Sequence, residues 1–195
     1  PRQSRNYKRP CNMGYIVLIL GVALWAGAHL FKRLAPERRA AMGESGKGLV
    51  ALALLASIVL MVLGYRWADP VYVWYPPAFL RHLNNLLMLL AVYLFAASIL
   101  KPRLTRLVRH PQLTAVKTWA LAHLLVNGTL AGIILFGGLL AWAVLAVILI
   151  NRAQRGWERP APATVATEVM TVGAALVGTV VIGMIHNWLG VWPYG

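Results

Sequence analysis

The chain has 195 residues, 59% of them hydrophobic and only 12% charged, with a mean hydropathy of +0.65. A soluble domain carries about twice that charged fraction, so no part of the chain reads as a soluble domain. The net charge of +14, from 19 Lys and Arg against 5 Asp and Glu, comes without a basic face or a stacking platform, which argues against nucleic acid as a partner.

Residues 1–12 hold Arg2, Arg5, Lys8 and Arg9 directly before Met13. They read as a non-native or disordered basic leader ahead of a single transmembrane domain over 13–195. Cys11 is the one cysteine, so a disulfide framework, a CxxC pair and a covalent c-type haem are all excluded, while a non-covalent haem is not.

Six apolar segments follow, predicted over 14–31, 48–65, 82–100, 113–126, 129–150 and 168–189. Runs of about 20 apolar residues cross a ~30 Å hydrocarbon core, and in lipid such runs must be helices because the backbone has no other hydrogen-bond partner. The expected fold is an all-α integral membrane protein, a bundle of six transmembrane helices with a short fourth one. That fourth segment includes Lys117 and is also open to a re-entrant or tilted path. Pro36, in the basic stretch after the first segment, is expected to stop a helix. Asn127 and Gly128 signal a turn.

The loops after the first, third and fifth segments are rich in Lys and Arg; those after the second and fourth are not. The alternation predicts basic loops in the cytoplasm and both termini outside. Lys32, Arg33, Arg38, Arg39, Lys101, Arg103, Arg106, Arg109, Arg152, Arg155 and Arg159 are expected at one end. Trp67, Tyr72, Trp74, Tyr75, Trp188, Trp192 and Tyr194 are expected as an aromatic belt at the other. A re-entrant fourth segment would instead carry Arg152, Arg155 and Arg159 to the aromatic end.

Burying a charged or polar group in lipid is costly, so polar residues in apolar spans are functional candidates. These are His29, His82, His110, Lys117, His123, Glu168 and His186. Imidazole is a good ligand for haem iron. His29 and His123 lie deepest, as ligands or as structural helix-to-helix contacts. His82 and His186 read as interfacial, and His110 as a headgroup contact or a functional group. Lys117 reads as a snorkelling anchor. Glu168 complements the dipole at a helix start, with a proton path as the alternative. At ~100° per residue His110 and His123 point to different faces, while His123 shares its face with Val116, Trp119 and Asn127. Glu168 and His186 share a stripe with Ala175, Thr179 and Ile182. Gly132, Gly137 and Gly138 offer a small-residue stripe for a partner. Phosphate-loop, HExxH and GxSxG motifs are absent.

Three runs carry a resemblance. They are GAHLFKRLAPERRAAMG after the first segment, FLRHLNNLLMLLAVYLFAAS opening the third, and VRHPQLTAVKTWALAHLLVNGTLAGIILFG across the fourth and into the fifth. From about Met13 onward the chain resembles the NnrU family of bacterial membrane proteins. That family is associated with denitrification and includes the haem-containing 15-cis-zeta-carotene isomerases. The resemblance implies a non-covalent haem b in the bacterial inner membrane. His29 and His123 would be its iron ligands, with Arg109 and His110 at the rim where propionates are paired. It also implies two alternatives: a non-catalytic accessory factor with a membrane partner in nitrogen-oxide metabolism, or a haem isomerase of a long apolar substrate. A more distant likeness to isoprenylcysteine and phospholipid methyltransferases rests on the Arg-His-Pro, and the paired acids of those enzymes are missing here.

Overall fold

The computed structural model describes residues 13–193, which form two compact units that meet in sequence between Val71 and Tyr72. The expected leader and Tyr194 lie outside the described residues. Apart from one isolated bridge between Tyr72 and Thr129, the described residues are helix and loop.

The first unit is a helical hairpin. Its elements are α1 (Met13–Leu34), the short α2 (Pro36–Ala41) and α3 (Ser45–Trp67). α1 stops two residues before Pro36, as expected, and Pro36 then starts α2, because the first turn of a helix leaves its N–H groups unbonded and proline loses nothing there. Glycines set how closely α1 and α3 approach. A Cβ on Gly14 would collide with the backbone of Trp67 and Ala68, and one on Gly64 with the backbone of Leu18. At Gly21 it would lie 2.8 Å from the Met61 nitrogen. These contacts fix α1 and α3 antiparallel. Tyr15 closes the open end by donating to the Asp69 carbonyl at 2.6 Å. Lys32, Arg33, Arg38 and Arg39 therefore sit at the hairpin's connected end, and Trp67 at its open end.

The second unit contains α4 (Leu80–Leu100), a 3-10 turn (Arg103–Arg106) and α5 (Pro111–Val126). After these come α6 (Leu130–Gly132), a π-helical turn (Ile133–Gly137) and α7 (Gly138–Ala153), which run on as one rod, and then α8 (Val165–Trp188). α4 packs on both α5 and α8, and α5 also packs on α7. Lys101 ends α4 in the left-handed region (φ 58°), and Pro102 follows it.

Hydrogen bonds identify the two ends of this unit. At one end the Arg103 N–H donates to Glu168 Oε1 at 2.7 Å, and the Arg109 guanidinium donates to the carbonyls of Gln154 and Gly156. At the other, the N–H groups of Val73 and Trp74 donate to the Gly128 carbonyl at 2.8 and 3.3 Å. The loop before α4 and the loop after α5 therefore meet, so α5 runs the full distance between the ends. The segment with Arg152 and Arg155 joins Arg109 at the basic end, and the re-entrant alternative is not what is seen. Glu168 lies within the first turn of α8, as expected for a dipole partner, but its specific role is to tie the Arg103 turn to that helix. Gly132 is buried while Gly137 faces open space, so the glycines of this rod do not form one outward stripe.

Five helices are long and apolar enough to cross a membrane: α1, α3, α4, the Leu130–Ala153 rod and α8. The expected count of six is not reached on that criterion, because α5 has 16 residues and spans only about 24 Å at 1.5 Å per residue. The distribution of side-chain size supports a lipid setting. Nine of the buried core residues are alanines, Ala91, Ala97, Ala115, Ala120, Ala122, Ala131, Ala143, Ala146 and Ala175. Leu52, Leu55, Val169, Val177 and Met184 are each at least 60% exposed. Water would penalise that inverted pattern. Lipid permits it, because helices there associate through close packing of small residues. The buried hydroxyls of Ser57 and Thr171 donate to carbonyls of their own helices, Leu54 and Thr167, at 2.6 and 2.7 Å.

Candidate functional site: histidines in the second unit

α5 carries His123 into the interior of the second unit. Its Nδ1 lies 3.0 Å from the Trp119 carbonyl, one turn back on the same helix. A carbonyl only accepts, so Nδ1 carries the proton and the neutral ring keeps its lone pair on Nε2. This is the tautomer a metal-ligating histidine needs, fixed by a backbone partner. His186 on α8 does the same with Ile182 at 2.8 Å, and His29 on α1 with Trp25 at 3.0 Å. All three are half-buried.

Aromatic rings surround His123. Phe136 lies 4.5 Å away between ring centres and Trp119 lies 5.0 Å away. Phe136 also meets Trp119 edge-on at 5.2 Å. Phe136 comes from the π-helical turn of the fifth apolar segment. Such a turn inserts an extra residue into the helix and re-aims the side chains around it. Asn127 donates to the His123 carbonyl at 2.8 Å and ends α5. The expected shared face of His123, Trp119 and Asn127 is therefore present, and Phe136 is an addition that periodicity did not signal.

His186 was expected at an interface. It lies two residues before the end of α8, and its ring centre is 6.5 Å from that of His123. The stripe shared with Ile182 was legible, but the helix that stripe would meet was not. One turn from the two histidines, on the same helix faces, Trp119 and Ile182 line an apolar cleft of about 310 Å³. Met88, Val92, Phe95 and Val116 complete most of its wall. That volume is at the small end of the ~300–1,000 Å³ typical of ligand pockets.

Arg109 and His110 lie together at the basic end. His110 Nε2 is 2.9 Å from Asn151 Oδ1, and Arg109 bonds the loop carbonyls described above. They are not gathered with His123, which follows His110 by 13 residues on α5, about 20 Å along the axis. His29 belongs to the first unit. His82 is exposed at the start of α4, in keeping with its interfacial reading. Lys117 is half-buried on α5.

An imidazole with its proton on Nδ1 is a type of ligand that haem iron takes. Among the described residues no group of three or more His, Cys, Asp or Glu is arranged to hold a metal ion. A haem needs only one or two side-chain ligands, because the macrocycle supplies the rest, and it wants apolar and aromatic walls. His123 offers one imidazole nitrogen beside Trp119 and Phe136, and it does not itself line the adjoining cleft.

The family model described as NnrU protein matches residues 17–193, nearly the whole chain. No curated protein and no solved structure matches it.

Proposed function

The chain belongs to the NnrU family, and from that premise we propose that it is a haem b-binding inner-membrane protein serving nitrogen-oxide metabolism. The observation that carries this reading is His123, an imidazole held in the ligating tautomer inside an apolar and aromatic enclosure. The family motifs pair it with His29, whose ring is prepared in the same way. When bound, the group would supply a redox-active iron for small-ligand binding or electron transfer. His123 would hold the iron, the Trp119 carbonyl orients its imidazole, and Trp119 and Phe136 give it apolar surroundings. Arg109 and His110 sit at the opposite end of α5 from His123, which favours a structural role for them in closing the basic loops.

The proposed topology has six crossings, with α5 as the short fourth one. The basic end of each unit faces the cytoplasm, and the two ends of the described chain face the periplasm. Anionic headgroups attract each basic residue near the surface by about 1 kcal/mol, and placing the charges on the other side would move them through the core at several kcal/mol each.

A second reading is an isomerase of a long apolar substrate, supported by the cleft that Trp119 and Ile182 line one turn from the histidines. It predicts conversion of a 15-cis polyene by reduced, haem-loaded protein and none by the oxidised form. The haem reading itself is tested by purifying the protein from cells supplied with ample haem. A Soret band, with a pyridine haemochrome of the b type at about one haem per chain, is expected. Protein without a Soret band would sink the reading.

A further inference from the structure

We propose that the hairpin of the first unit holds one anionic phospholipid, with an acyl chain in the groove between α1 and α3 and the phosphate on Arg39 at the basic end. The site goes beyond the haem reading and does not depend on it.

The groove follows from where the glycine seam stops. Gly14, Gly21 and Gly64 bring α1 and α3 to backbone contact over the open part of the hairpin. Gly27 lies nearly two turns further along α1 toward the corner, and a Cβ there would meet no neighbouring helix within 4 Å. The two helices enclose an apolar groove of about 350 Å³ at this level. Ala23, Gly27 and Phe31 line it from α1, Leu49 and Ala53 line it from α3, and Met42 lines it at the corner.

The depth of the groove selects an acyl chain. Ala23 and Phe31 are eight residues apart, about 12 Å along the helix axis. One leaflet of a ~30 Å hydrocarbon core is about 15 Å deep, so the groove runs through most of a single leaflet.

The charge at its mouth selects an anionic headgroup. Between Lys32 and Lys47 five basic residues stand against two acidic ones, Glu37 and Glu44, and Glu44 pairs with Lys47 at 2.9 Å. Arg39 is fixed at the end of the groove. Its Nη1 and the Met42 Cβ each lie 2.7 Å from the point where a Cβ on the buried Gly46 would stand. Nη1 also donates to the Gly43 carbonyl at 3.2 Å. A guanidinium has five N–H donors, so a held Arg39 still presents donors in the paired arrangement that suits a phosphate. A second copy of the chain in the same membrane orientation would instead bring another basic corner to this mouth, and like charges placed together are costly.

The test uses the full-length protein, purified in detergent and freed of lipid. It is given phosphatidylglycerol or phosphatidylcholine with the same acyl chains. Native mass spectrometry counts bound lipid, and thermal unfolding follows its effect. One phosphatidylglycerol per chain is expected, with a rise in melting temperature that phosphatidylcholine does not match. Arg39→Gln should weaken phosphatidylglycerol binding about tenfold, as for loss of one charge-assisted hydrogen bond. Arg155→Gln, which removes a charge from the second unit, should change nothing. Gly27→Leu fills the groove; it should retain neither lipid while melting like wild type in lipid-free detergent. Equal binding of the two lipids by wild type, or equal losses in Arg39→Gln and Arg155→Gln, would mean that an apolar chain or net charge alone attracts lipid, and the site falls. Gly27→Leu protein that still holds phosphatidylglycerol removes the groove from the account. Inorganic phosphate, which has the charge without the chain, should leave the melting temperature unmoved, and a rise equal to that with lipid overturns the inference. A lipid-free dimer that takes up no phosphatidylglycerol would give the groove to a second copy of the chain instead.

Discussion

The two units solve the problem of packing helices in lipid differently. In the first, α1 and α3 meet through glycines at backbone distance, with Gly14, Gly21 and Gly64 leaving space for nothing but main chain. In the second, the residues buried on α4, α5, α7 and α8 include many alanines, whose methyl groups stand where the first unit has bare backbone. That unit admits rings: Trp119, Phe136, His123 and His186 lie within it, with a cleft beside them. A glycine seam makes a stiff hairpin. An alanine core with one π-helical turn makes room for aromatic rings and a cleft.

Substitutions can break or sharpen that contrast. On the proposed haem reading, the largest effect is expected from His123→Ala, which should abolish the Soret band in purified protein. His110→Ala should leave the band in place, because His110 bonds Asn151 at the far end of the helix. A ligand role divided evenly between the two histidines would be disproved by that difference.

In the first unit, Gly64→Leu drives a side chain into the backbone of Leu18. Overpacking of this kind costs about 3 kcal/mol. Gly27→Leu, where a Cβ meets nothing within 4 Å, is the control. Thermal unfolding in detergent should show a large drop for the first and no change for the second. Equal drops would mean that the seam is not set by glycine.

A smaller effect is expected at the basic end of the second unit. Glu168→Ala removes the carboxylate that receives the Arg103 N–H at 2.7 Å. Loss of one such charged hydrogen bond near the surface costs about 1 kcal/mol. Faster amide exchange at Arg103, with the haem spectrum unchanged, is the expected signature. Slow exchange at Arg103 in that variant would show that another group holds the turn.

The smallest effect belongs to Lys47→Ala. Its partner Glu44 is 2.9 Å away, but both side chains are at least two-thirds exposed. Exposed pairs contribute little, so the melting temperature should not move. A clear loss there would mean that the α2–α3 corner matters more than its exposure suggests.

Much of the fold was legible before any coordinates. The apolar runs place α1, α3, α4, the Leu130–Ala153 rod and α8 to within a few residues. The fourth segment correctly stood out as short. The site was legible in part. His123, Trp119 and Asn127 share a face because residues three and four apart on a helix always do. Phe136 was not legible, since a π-helical turn breaks the period on which face assignments depend. The neighbour of His186 across the bundle was not legible either, since its position near a helix end does not say which helix face it meets.

The sequence by itself determined that this chain belongs in a membrane and which loops gather basic residues at one end of each unit. Transfer of a segment into lipid is close to a sum over its own residues, so composition and order suffice for it. Tertiary structure alone decided that α5 runs the full distance between the ends of its unit, that Glu168 ties down Arg103, and that His186 stands beside His123. Each of these depends on which faces of different helices meet. Between helices in lipid that choice is made by packing of small side chains over the whole interface, and no local stretch of sequence records it.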